Sequence, residues 1–152
     1  MSGHHAGPSA IDVPLPATAA PVPFIVANEY KTLLCYRVLG APPELRALVS
    51  FHGVHATRWG PVIDEHLSAH EFGRVGPGFY SPYQYSNSEW LDQAIGAAVV
   101  ASSPWFLGTL YHFVFPFHES TFECLAASIR VEVSSAPPAR IREELVAFAG
   151  CR

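Results

Sequence analysis

A chain of 152 residues, 49% apolar and only 14% charged, has the size of one ordinary domain and too little charge to be disordered. Its net charge of −4 and its one lysine, Lys31, supply no basic face for gripping phosphate, so a nucleic-acid partner is not expected. No apolar run reaches the ~18 residues that cross a bilayer as a helix, so no membrane partner is expected either.

Residues 1–23 contain prolines at 8, 14, 16, 21 and 23 and no basic n-region. They read as an extended proline-rich tail or arm, not a secretory signal, which makes the cytoplasm the default compartment. The folded domain is placed at 24–152. Phe24 to Asn28 and Thr32 to Leu39 are rich in β-formers and predict two strands joined near Glu29-Tyr30-Lys31. After a break at Ala41-Pro42-Pro43-Glu44, Leu48 to Thr57 reads as one strand, with Val49, Phe51, Gly53, His55 and Thr57 on one face. Ile63 to His70 reads as a short helix. From Gly73 to Ser88 runs a long loop carrying Phe79, Tyr80, Tyr83 and Tyr85, and loops of that length generally bind or cover something. Ser86 to Glu89 fits a capping box, and apolar residues from Leu91 to Val99 at helical spacing extend a helix to about Ala101. Leu110 to Ser134 carries the strongest β signal and reads as a hairpin. Tyr111, Phe113, Phe115 and Phe117 share one face of its first arm; Thr121, Glu123, Leu125, Ala127, Ile129, Val131 and Val133 share one face of the second. Pro137-Pro138 then opens a helix with Ile141, Leu145 and Phe148 on one side and Gly150 beyond. This order predicts an α+β fold: a mostly antiparallel sheet, one central and one C-terminal helix, and the proline-rich N-terminal arm.

The three cysteines are odd in number and none forms a CxxC pair, so neither a disulfide framework nor a cysteine-rich zinc site is expected. Cys35 and Cys124 lie in strand-like runs, where cysteine acts as a small hydrophobe. Reactive side chains are densest at Phe117-His118-Glu119-Ser120-Thr121-Phe122-Glu123-Cys124. A histidine titrates near neutrality and a neighbouring carboxylate raises its basicity, which nominates His118 as a base. Glu123 falls on the apolar face of its strand. There it is either paired, for instance with Thr121, His112 or a backbone amide, or its pKa is raised as suits a general acid. Ser120 would be a nucleophile only if His118 reached it. His52 and His55 stand on opposite faces of a strand, a poor metal pair unless Gly53 marks a bulge. His66 and His70 stand one helical turn apart and would share a metal if a third ligand such as His118 or Glu123 joined them; two exposed histidines explain the spacing as well. Dinucleotide, phosphate-loop, α/β-hydrolase and EF-hand motifs are all missing.

Residues 117–126, F-H-E-S-T-F-E-C-L-A, resemble a signature, F-H-(D/E)-S-T-F-E-C-x-A after an aromatic strand, of a family of functionally uncharacterised bacterial proteins. The likeness extends through Trp59-Gly60, Asp64-Glu65, His70 and Asn87-Ser88-x-Trp90-Leu91, touching about half the chain. It departs after the helix tryptophan, where that family has a histidine-containing stretch and Ala94 to Phe106 has none. The resemblance implies no activity. It implies that Trp59, His70, Trp90, His118, Glu119, Thr121 and Glu123 share a site.

Together these features lead first to a small cytoplasmic enzyme that acts on an apolar or aromatic small molecule by acid–base chemistry of the isomerase, cyclase, lyase or hydrolase type. No organic cofactor is expected. His118, Glu123, Glu119 and Thr121 are the expected catalytic residues. Trp59, Tyr80, Tyr83, Trp90, His55 and His112 are expected around the substrate. Two other classes stand beside it: a non-catalytic module that binds a small molecule or partner, and a metal enzyme drawing ligands from His66, His70 and His52. A homodimer is left open.

Overall fold

Strands whose two faces are both apolar need cover on both sides, and this chain supplies it by stacking two antiparallel sheets and adding a helix outside each. The computed structural model describes residues 9–29, 31–61, 81–100, 108–136 and 138–150. In chain order these form β1 (Ser9–Ala10), β2 (Phe24–Ala27), β3 (Thr32–Arg37), β4 (Arg46–His52), β5 (Ala56–Gly60), β6 (Tyr83–Tyr85), α1 (Glu89–Val100), β7 (Tyr111–Pro116), β8 (Thr121–Ala126), β9 (Ser128–Ser134) and α2 (Pro138–Gly150). One sheet has the order β1-β6-β7-β8-β5 and the other β2-β3-β4-β9. The fold is therefore α+β, with one central and one C-terminal helix as the sequence predicts. No helix among the described residues is long and apolar enough to cross a membrane.

Between the sheets lies an aromatic core. Phe51 of β4 meets Phe113, Phe115 and Phe122 edge-on at 6.0, 5.7 and 5.4 Å between ring centres, the arrangement that the ring quadrupole favours. Leu34 and Tyr36 of β3 join this core. The alternate residues Leu33 and Cys35 turn outward, where Ile141 and Leu145 of α2 cover them. That is why β3 is buried almost throughout. Past Leu145 the apolar stripe of α2 runs out: Phe148 is exposed, and Lys31 lies 4.1 Å from its ring centre while donating to its carbonyl at 3.0 Å. The cation thereby satisfies a carbonyl in the last turn of the helix.

From Ser9 the proline-rich arm pairs with β6 and then runs beside the end of β3. Prolines cannot donate, so Pro14 and Pro21 serve through their carbonyls, which accept from the Tyr36 hydroxyl at 2.6 Å and the Arg37 amide at 2.8 Å. Ile11 and Val13 pack on the aromatic core.

Besides β6, a strand inside the stretch 73–88 predicted as loop, three predicted boundaries differ from the structure. Residues 121–133 do not follow one sheet: the chain leaves the first sheet after Ala126 and enters the second at Ser128. Leu48 to Thr57 likewise breaks between His52 and Ala56, and the two breaks lie against each other. Ala127 donates to the His52 carbonyl at 2.9 Å, and His55 donates to the Leu125 carbonyl at 2.8 Å. A two-stranded ribbon thus bends from one sheet into the other. Gly53 makes the bend, with φ of 62° and a close neighbour, since a Cβ there would lie 3.0 Å from that of Ala127. Gly53→Ala is expected to lower stability by about 1–2 kcal/mol in urea unfolding, from left-handed backbone strain and this close approach together. Pairing it with Ala127→Gly should recover only the part due to contact. The third difference is the helix cap, which is Ser88 and not Ser86: Ser88 Oγ accepts from the Leu91 amide at 3.1 Å.

Cys35 and Cys124 are buried in the two cores. Burial pushes the Cys35 thiol up to about 11, against the pull of Arg46 and Arg142, and pushes that of Cys124 further up. A thiol reacts as thiolate, so both should resist iodoacetamide in the native protein at about pH 8 and react once it is unfolded. Peptide mass mapping reads the difference.

A candidate active site on the outer face of the larger sheet

On β7 and β8 the residues that do not face the aromatic core point to the opposite side of the sheet. They are His112 and Val114 on β7, and Thr121, Glu123 and Leu125 on β8. A four-residue turn sets their register: the Phe117 amide donates to the Ser120 carbonyl at 2.7 Å, so Val114 lies opposite Glu123 and His112 opposite Leu125. His112 is then the diagonal neighbour of Glu123, within reach of a long side chain. On the far side of β8, β5 places Arg58 directly opposite Glu123. The start of α1 packs over this face and brings Ser88 and Trp90.

These side chains form a continuous hydrogen-bonded relay. His112, 0% exposed, has Nδ1 at 2.7 Å from the Ser88 hydroxyl and Nε2 at 3.2 Å from Glu123 Oε1. Arg58 binds the same carboxylate with two nitrogens, Nε on Oε2 and Nη2 on Oε1, the latter at 2.8 Å. Its guanidinium also lies 4.1 Å from the centre of a Trp90 ring, and Trp90 meets the His112 ring edge-on at 5.1 Å. Tyr85 closes on His112 from β6 at 5.7 Å.

Electrostatics keep Glu123 ionised. Burial by itself raises the pKa of Glu123, but hydrogen bonds from His112 and Arg58 and the charges of Arg58 and His112 outweigh it and bring the value down to about 2. An ionised carboxylate only accepts, so His112 Nε2 carries the proton between the two, and Nδ1 shares the second hydrogen bond with the Ser88 hydroxyl. Glu123 is therefore the paired carboxylate of the two alternatives posed by the sequence. It is not a proton donor of raised pKa.

The predicted site residues divide into separate places. Glu123, His112 and Trp90 come together, with Thr121 buried on the same face of β8 and Tyr83 packed beside Tyr85 and Val114. Trp59 is on the opposite face, stacked on Phe117 at 6.4 Å and tilted against Phe122 at 5.9 Å. His118 and Glu119 sit exposed at the β7–β8 turn. With Phe117 and Ser120 they form one wall of a groove of about 340 Å³ whose other wall is arm residues Ala19, Ala20, Pro21, Val22 and Pro23. His52 and His55 flank the bend in the ribbon. His66, His70 and Tyr80 lie outside the described residues. Among the described residues no three His, Cys, Asp or Glu stand together as metal ligands.

Sequence reasoning missed Arg58 and Ser88 as members of the relay and Tyr85 as the ring packed against it. Ser88 left a signal in the Asn87-Ser88-x-Trp90-Leu91 segment and in its suitability as a helix cap, and Tyr85 left one as a member of the aromatic 73–88 run; Arg58 left none. In comparisons with known proteins, no family model matches this chain, and no curated protein or solved structure is similar enough to count as a match. Function is therefore argued from the geometry.

Proposed function

We propose that this chain is a cofactor-free acid–base enzyme of the hydrolase type, acting on a small acyl substrate with Ser88 as nucleophile. One observation carries the reading: the Ser88 hydroxyl lies 2.7 Å from one nitrogen of a histidine whose other nitrogen lies 3.2 Å from an ionised carboxylate, so that a neutral His112 would accept the serine proton. As Ser88 Oγ attacks a carbonyl carbon, its proton passes to His112 Nδ1, and Glu123 stabilises the imidazolium that results. His112 then returns that proton to the leaving group as its bond to the acyl carbon breaks, and a water molecule deprotonated by His112 releases the acyl group as the acid and regenerates the Ser88 hydroxyl. Ser88 caps α1, so the first backbone amides of that helix, with their partial positive charge, are near the oxygen that becomes negative. Arg58 holds Glu123 in place and, with 43% of its side chain exposed, forms with Trp90 the open end of the relay.

A second reading, a non-catalytic module in which the relay only locks α1 to the sheet, draws on the burial of the same atoms. Ser88 is 5% exposed, and its Oγ also accepts from the Leu91 amide. Hydrolysis of p-nitrophenyl acetate and butyrate separates the two. The enzyme reading predicts turnover by the wild type that His118→Ala, outside the relay, leaves within about threefold and Ser88→Ala lowers about a thousandfold. Wild-type turnover no faster than that of a folded Ser88→Ala variant would favour the locking role. A collapse in His118→Ala alone would move the chemistry to the turn.

A further inference from the structure

The second sheet ends in β9, and among the described residues nothing pairs with its outer side. Seven residues long, with Val133 52% exposed, it is an edge of the kind that proteins either protect or use. Charges are the usual protection, and β9 has two of opposite sign, Arg130 and Glu132, on its polar face. Their order makes the strand self-complementary. We propose that β9 is a homodimer edge, pairing antiparallel with β9 of a second copy about a two-fold axis through Val131.

In that register Arg130 faces the partner's Glu132 and Glu132 faces the partner's Arg130. Ile129 faces the partner's Val133, Val131 faces the partner's Val131, and Ser128 faces the partner's Ser134. Opposite charges and β-branched pairs directly across an antiparallel ladder are both favourable. A slip of two residues either way sets Arg130 against the partner's Arg130 or Glu132 against the partner's Glu132. A slip of one sets the charges against Ile129, Val131 or Val133. One register therefore satisfies every pair, and the symmetry is closed, so the contact ends at two copies and does not continue into a fibre. The two four-stranded sheets become one of eight strands, and Val133 is covered. Nothing here depends on the hydrolase reading.

Charge exchange tests this with the full chain. Sedimentation equilibrium over about 10–200 μM should give a mass approaching twice 16.5 kDa for the wild type. Arg130→Glu and Glu132→Arg should each be monomeric, because each sets like charges together twice. The double variant carrying both changes should dimerise again, and so should an equimolar mixture of the two single variants. Both positions are exposed, and circular dichroism checks that each variant is folded. A wild type monomeric throughout would overturn the proposal. So would a dimer indifferent to both single changes, or a double variant that stays monomeric.

Discussion

Lowering the pH from about 5 to 2 should remove about 3 kcal/mol of stability through Glu123 alone. In the folded chain this carboxyl has a pKa of about 2 against an ordinary 4.5. Between those values the unfolded chain binds the proton and the native chain does not, so acid favours unfolding. The contribution is fully present above pH 4.5 and fades as the pH falls towards 2. Unfolding in urea followed by tryptophan fluorescence at several pH values measures it. Glu123→Gln cannot titrate, so its stability should be lower near neutrality and lose much of the acid dependence. Its deficit near pH 7 should stay moderate, because the half-exposed Arg58 regains water when its counter-charge goes. Parallel acid limbs for the wild type and Glu123→Gln would show that this carboxylate is not held as described.

Ser88→Ala should act on two quantities at once. Removing the hydroxyl deprives the Leu91 amide of its acceptor and the His112 Nδ1 of its hydrogen-bond partner, which should cost about 1–2 kcal/mol of stability. Under the hydrolase reading it also removes the atom that attacks, so turnover should fall about a thousandfold. The effects are separable. Ser88→Asn keeps a side-chain acceptor at the cap and an N–H that can meet Nδ1, so it should recover part of the stability and none of the turnover. A purely structural serine would make loss of turnover follow loss of stability across both variants.

Much of this site was legible as strand faces. The alternation from Tyr111 to Phe117 places His112 and His118 on one side of the first arm, and the pattern from Thr121 groups Glu123 with Thr121 and Leu125 on one side of the second; that these two sides coincide is set by the pairing, which leaves Phe122, Cys124 and Ala126 to face the core. Which histidine reaches Glu123 depends on turn length. The four residues 117–120 put His112 diagonal to Glu123 and leave His118 at the tip. Arg58 was not legible because its partner lies 65 positions away, across a pairing that no local pattern encodes. The exchange of sheets at Ala127 was hidden for a related reason. Ala126-Ala127-Ser128 contains neither glycine nor proline, and the residue that permits the bend, Gly53, is distant in the chain. The α+β class survived these errors, since it needs only the kinds and order of the elements.

The most direct test of the central claim is intact-mass and peptide-mass spectrometry after incubation with a fluorophosphonate, which bonds to an activated serine. The account predicts one adduct per chain, located on Ser88 and lost in Ser88→Ala. A folded protein that takes no adduct, or takes it on Ser120 beside His118, would contradict it.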